Sequence, residues 1–234
     1  MKVLLLFSFI LIDSAILPAQ DSTYVTIKAG NKVKDVLSPS DIFYYPQFTN
    51  GKVYFKIGAK TEAKMNYTRL VDQMLFVGPK GDTLALADEN TIKFIAIGQD
   101  TFYYDDGFIR LIANNGIIKL AEKQIWVVAD VRKMGTHNRS TNSVAITSLS
   151  NYSDETARAK SHDLIINEDI LIRKEVQYYF GDTYGHFVPA TKKKLMLLFP
   201  KEELKLESFL KENKINFDKK EDVEKIAQFI GRYH

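Results

Sequence analysis

The residues with most chemical reach are few. The four histidines are His137, His162, His186 and His234. No two have the i, i+4 spacing of a metal pair on one helix face, and no H-E-x-x-H occurs. His162 adjoins Asp163, so in a strand the two side chains point to opposite faces. His186 stands out because Asp182 precedes it at a turn, with Tyr178, Tyr179, Phe180, Tyr184 and Phe187 around it. Asp182 and His186 are the candidate catalytic pair, a carboxylate and an imidazole suited to proton transfer. Tyr178, Tyr179, Tyr184 and Phe187 are the candidate ligand-binding residues, rings that would stack on a sugar or a peptide side chain. The same cluster also reads as a strand pair with cross-strand aromatics. No G-x-S-x-G elbow, phosphate-cradling glycine loop or paired carboxylate motif is present. Missing motifs weigh against an enzyme, although catalytic groups can converge from distant strands.

These side chains must be positioned by strands. Residues 50–86 are the most regular stretch: Val53, Phe55 and Ile57 alternate with Lys52, Tyr54 and Lys56. Beyond Gly58, Ala63, Met65 and Tyr67 alternate with Glu62, Lys64 and Asn66. Two further runs, 74–77 and 83–86, flank Gly78-Pro79-Lys80-Gly81-Asp82. Period-two patterning broken by Gly, Pro, Asn and Asp predicts an antiparallel meander with one buried face. Asn50-Gly51 is read as the turn leading into it. Strands are also expected at 92–97, 101–104, 108–112, 117–120, 125–129, 164–166, 170–173 and 176–180. Residues 125–129 are apolar on both faces, as in a central strand, and Trp126 there needs one acceptor for its indole N–H. Gly81-Asp82-Thr83, Gly98-Gln99-Asp100-Thr101 and Gly181-Asp182-Thr183 repeat one turn chemistry at strand starts. One carboxylate per turn falls far short of a calcium loop.

Other segments change character. Ser38-Pro39-Ser40-Asp41 predicts a single helical turn with Ser38 as cap. Residues 134–161 are rich in Ser, Thr, Asn and Gly and are read as a long mobile loop. From Thr191 the period becomes helical, predicting two or three helices with apolar faces at Leu204, Leu206, Phe209 and Leu210, then Val223, Ile226, Phe229 and Ile230. Asp218 with Glu221 reads as a capping box, and Gly231 as the end of the last helix.

Composition bounds the address. Met1-Lys2, the apolar run 3–12 and the small-residue exit Pro18-Ala19-Gln20 predict a signal peptide over residues 1–19. There are no cysteines, which excludes disulfides, thiolate metal sites and a lipidated-cysteine anchor. No apolar run has transmembrane length. The net charge of +3 lies in residues 191–234, interleaved with acids, so no basic stripe for nucleic acid forms.

Three segments carry a resemblance: DIFYYPQFTNGKVYFKIG (41–58), NYTRLVDQMLFVGPKGDTLALA (66–87) and LFPKEELKLESFLKENKINFDKKEDVEKI (198–226). They resemble a family of uncharacterised exported bacterial proteins. The resemblance implies export and a single unit of sheet plus helical tail. It carries no activity, cofactor or catalytic residue with it.

The expectation is an α+β fold. It has an antiparallel meander forming a sandwich, roll or partly closed barrel, followed by two to three C-terminal helices. One domain is expected over 20–234, with a helical tail at 191–234. The leading functional expectation is an exported non-catalytic binding or interaction protein, periplasmic or secreted and not a lipoprotein, with a protein or glycan partner. No cofactor, metal or nucleic acid is expected. Two alternatives are an envelope hydrolase acting on glycans or peptides through His186 and Asp182, and an assembly protein docking through its tail.

Overall fold

The computed structural model describes residues 24–132, 147–149, 165, 166 and 168–232. The expected leader, His137, His162, His234 and all of the expected 134–161 loop except 147–149 lie outside these residues.

Among the described residues twelve strands form one antiparallel sheet. The alternating stretch supplies β2 (Thr49–Phe55), β3 (Lys60–Thr68), β4 (Gln73–Val77) and β5 (Thr83–Ala85), each paired with the next. The chain then passes a 3-10 turn at Glu89–Thr91 and returns to the other edge of β2 as β6 (Ile92–Ile97). The meander continues through β7 (Asp100–Tyr104), β8 (Phe108–Asn115) and β9 (Ile118–Arg132). Short β10 (Thr147–Ser148) pairs with Val127 and Val128 of β9. β11 (Asp169–Gly181) runs the length of β9, and its outer edge carries β1 (Tyr24–Ile27) and β12 (Phe187–Pro189).

The sheet rolls. Trp126 N–H donates to the Arg69 carbonyl at 3.1 Å, bringing the chain after β3 back onto β9. The sheet is nevertheless not closed into a barrel. Val53, Met65, Tyr67, Met74, Ile95 and Phe102 belong to one buried core of the meander. A second core gathers Ile27, Ile42, Leu70, Trp126 and Ile172 with the single-turn helices α1 (Val33–Val36) and α2 (Pro39–Ile42). The Trp126 indole finds its acceptor there, the Asp41 carbonyl at 3.0 Å. At α2 the Asp41 carboxylate accepts from the Ser38 N–H at 3.3 Å, as the capping pattern requires.

Several expectations are corrected. Asn50-Gly51 is strand, not turn: β2 is hydrogen-bonded to β3 on one side and β6 on the other. Glycine serves there by its size, because a Cβ would lie 2.9 Å from Met65 Sδ and 3.0 Å from Ile97 Cγ1. Asn66 does not face solvent but is buried, accepting from Tyr45 N–H at 3.0 Å and donating to its carbonyl at 2.9 Å. The expected strands 117–120 and 125–129 are one strand, β9, and 170–173 and 176–180 are one strand, β11. In each, the charged interruption is held by ion pairs rather than released into a loop. Part of the expected loop is ordered structure: β10, followed by the buried Leu149.

The tail forms α3 (Lys192–Leu198), a 3-10 turn at Pro200–Glu202, α4 (Glu203–Glu212) and α5 (Lys220–Gly231). Leu195, Leu206, Val223, Ile226 and Ile230 bury against Leu120, Tyr178 and Phe180 of the sheet. The tail is therefore part of a core. Its last helix starts from Lys219 rather than Asp218, and Asp222 takes the binding role by accepting from Asn216 N–H at 3.0 Å. Gly231 is the final helical residue, and a Cβ there would press on Asn115 Cβ at 2.8 Å. Leu204 leaves the expected apolar face and is 82% exposed.

Candidate functional site

β11 and β12 place the residues singled out from sequence. Asp182 closes the turn between these strands. One carboxylate oxygen accepts from His186 N–H at 3.0 Å, and the other lies 3.1 Å from His186 Nδ1. Burial acts to raise the Asp182 carboxyl, but the backbone and ring hydrogen bonds from His186 outweigh it and hold it below the usual carboxylate range. The imidazole is 81% exposed. Beneath the turn, Lys119 donates to the Asp182 and Thr183 carbonyls, both at 2.8 Å. Asp105, from the β7–β8 turn, accepts from Phe187 N–H at 3.2 Å. The pair is thus a rigid turn that presents one imidazole outward.

Of the four aromatic candidates only Tyr179 and Phe187 come together, in one small cluster with Tyr103. Strand alternation sends Tyr178 into the core beneath the tail and Tyr179 to the opposite face. Phe187 is buried over Gly181, where any Cβ would meet its ring at 2.6 Å, and it packs on Tyr103 at 5.1 Å. Tyr184 alone is open to solvent, at 88% exposure.

A larger polar constellation sits where sequence reading left a gap, in the middle of β9. Glu122 and Gln124 share a face of that strand. Buried Glu122 accepts from Arg110 Nε at 3.2 Å, Arg110 Nη2 at 2.5 Å and Gln124 Nε2 at 2.9 Å. Arg110 also reaches Asp100 at 3.0 Å, and Asp100 accepts from Tyr45 O–H at 2.7 Å. Gln124 accepts from Arg69 Nε at 3.1 Å, and Arg69 donates to the carbonyls of Ser40 and Phe43. The circuit therefore begins and ends on the segment containing Tyr44. Both guanidinium groups lie over the Tyr44 ring, Arg69 at 4.9 Å and Arg110 at 5.4 Å from its centre.

On the neighbouring side Lys123 pairs with Asp72 at 2.9 Å and donates to the Asp106 carbonyl at 2.8 Å. Asp72 also accepts from Tyr67 O–H at 2.9 Å and Phe108 N–H at 3.0 Å. Burial favours a neutral Asp72 and pushes its carboxyl up, but three donors converge on it, so the ion pair is the form that fits the geometry. Burial works against the Lys123 charge, and Asp72 outweighs it and holds Lys123 above its ordinary value. Burial raises Tyr45 and Tyr67, with Asp100 and Asp72 adding to the effect.

Between Tyr44, Tyr67, Phe102, Arg110 and Glu122 a cavity of about 10 Å³ remains. That is room for about one water and no organic ligand. The constellation cements the roll, since its polar atoms are spent on one another. The sequence signal for it is the polar run Glu122-Lys123-Gln124 between two apolar runs, together with Arg110 inside a strand pattern and Asp100 at a turn.

Among the described residues no group of three or more His, Asp or Glu side chains is placed to hold a metal ion. Among them, too, no helix is long and apolar enough to cross a membrane. The chain matches no protein-family model, no curated protein and no solved structure.

Proposed function

We propose that this chain is an exported, non-catalytic interaction protein of the bacterial envelope, and that the outer face of its helical tail is the contact surface. The reading rests on an open groove of about 460 Å³ between α4 and α5. Phe209 and Phe229 stack along it at 4.1 Å, and Leu204 stands beside them. Covering Leu204 alone is worth roughly 1.5–3 kcal/mol to a partner. Lys205 and Glu212 mark the rim with opposite charges. Lys205 is already paired with Glu202 at 3.0 Å, so the matching partner is an amphipathic protein segment, apolar at its centre, with a base toward Glu212. Export is supported by the pattern of residues 1–19 and by the resemblance of residues 41–58, 66–87 and 198–226 to exported bacterial proteins.

A second reading, an envelope hydrolase, is favoured by one observation. Asp182 binds His186 Nδ1 and leaves Nε2 outward, as a proton-transfer pair would. One experiment separates the two. A photo-crosslinking residue replaces Leu204 or, as control, Ile57, which is also exposed. The expected result is one discrete envelope adduct from position 204 and none from 57, unchanged by His186→Ala, on a chain that has lost residues 1–19. The same adducts from both positions, or a chain retained in the cytoplasm, would overturn the proposal. Turnover of envelope glycans or peptides abolished by His186→Ala would install the second reading.

A further inference from the structure

The meander core takes one side of β2, β6 and β7, where Val53, Ile95 and Phe102 are buried. Alternation turns Tyr54, Phe94 and Tyr103 to the other side. Register sets Tyr54 opposite Phe94, and their rings stack at 4.4 Å. Phe94 reaches Tyr103 at 6.3 Å, and Tyr103 reaches Phe187 at 5.1 Å. The row ends at the Asp182–His186 turn, where a Cβ on Gly185 would lie 3.9 Å from the Tyr103 ring. Aromatic pairs across strands steady a sheet by themselves. Here, however, Tyr54, Phe94 and Tyr103 all stay partly open to solvent. Among the described residues, neither the Tyr54 nor the Tyr103 hydroxyl has a hydrogen-bond partner.

The same face carries a surplus of positive charge. Lys52 lies two residues before Tyr54 on its side of β2, and Lys60 lies directly across from Tyr54 in β3. Glu62 and Lys64 follow Lys60 at alternate positions and share its side. Glu62 is held by Lys52 at 2.6 Å. Among the described residues, no carboxylate forms an ion pair with Lys60 or Lys64. Three ammonium groups thus border the ring row against one carboxylate. From β3 across β2 and β6 to β7 the strip measures roughly 14 Å at the ordinary strand spacing, which makes it a track for an extended chain.

We propose that this face binds an acidic polysaccharide, a chain of sugars bearing carboxylates. The C–H faces of the sugars lie against the aromatic row, the two tyrosine hydroxyls exchange hydrogen bonds with sugar hydroxyls, and the carboxylates meet Lys60 and Lys64. Single-stranded nucleic acid fits less well, because its bases need open ring faces on which to stack. Tyr54 and Phe94 each spend one face on the other, at an interplanar angle of 25°. The tail packs on the core side of the sheet, against Tyr178 and Phe180, so this track stands or falls apart from the contact proposed for the tail.

The test is retention of the full chain on beads bearing polygalacturonate, a neutral glucan or single-stranded DNA. Polygalacturonate is expected to hold the chain, less tightly as salt rises. Lys60→Gln with Lys64→Gln is expected to weaken that binding roughly tenfold, and Tyr54→Leu by a similar factor with unchanged circular dichroism. Lys211→Gln with Lys214→Gln removes the same charge from the tail and is expected to leave retention unchanged, as is Leu204→Ser. Failure to bind polygalacturonate, equal binding to the neutral glucan, or equal weakening by the two lysine pairs would overturn the assignment. So would tighter binding to single-stranded DNA, which gives the face to nucleic acid.

Discussion

Glu122 shows how a single residue can hold a sheet together. It is 5% exposed and takes three hydrogen bonds, two of them from Arg110. Removing one member of a buried ion pair leaves the other charge stranded, at a loss of about 3–5 kcal/mol, whereas exchanging both for apolar groups is often close to neutral. Glu122→Ala is therefore expected to lower stability by about 3 kcal/mol. The double exchange Arg110→Met with Glu122→Leu is expected to lose less than that. Urea unfolding of the single and double variants checks the order, and a double variant weaker than the single one would refute it. Neither Glu122 nor Arg110 was singled out as a site residue from sequence. Charged residues inside a strand pattern look like interruptions until the partner strand is known, and Arg110, Asp72 and Arg69 lie in other elements. Asp182 and His186, by contrast, were legible because their contact is local, within one turn.

At the scale of elements, β2 carries the clearest lesson. Its alternation announced a strand, and turn-prone Asn50-Gly51 was assigned to the preceding turn. The long-range fact that β6 returns to pair with β2 moves the boundary and explains the glycine. Gly51→Val is expected to cost about 1–3 kcal/mol by overpacking against Met65 and Ile97. Gly51→Ala is expected to cost less, since the Met65 thioether can rotate aside. Urea midpoints measure both, and a neutral Gly51→Val would disprove the packing account. Most strands, the helical tail and the Ser38–Asp41 turn were readable from local pattern and turn chemistry. Strand order, the roll and the fusion of β9 were not, because they depend on which distant strands meet.

The whole molecule has a pH signature on its alkaline side. Burial, reinforced by the Glu122, Glu221 and Glu224 carboxylates, pushes the Tyr178 phenol from 10.0 up to about 12. Tyr45 and Tyr67 shift in the same direction, and so does Lys123. A group whose folded pKa exceeds its unfolded value contributes stability fully below the unfolded value and loses it as pH climbs through the folded one. For Tyr178 that loss falls between pH 10 and about 12. These tyrosines are expected to stay protonated until the fold gives way, so late phenolate absorbance should rise together with loss of near-ultraviolet dichroism. Complete phenolate formation ahead of unfolding would contradict their burial. The three elements that hold Tyr178 (β11, β9 and the tail) would fail together.

The long pairing of β9 with β11 has a kinetic consequence. The two strands register from Arg132↔Asp169 to Lys119↔Gly181, so even their nearest contact must close across residues 133–168. The hairpins of the meander form from neighbours in sequence, but the seam on which the tail, β1 and the Trp126 core depend waits for a large loop to close. Loop-closure entropy of this kind slows folding more than it weakens the folded state. The chain is therefore built to form its meander hairpins first and to add β11, with β1 and β12 on its outer edge, late.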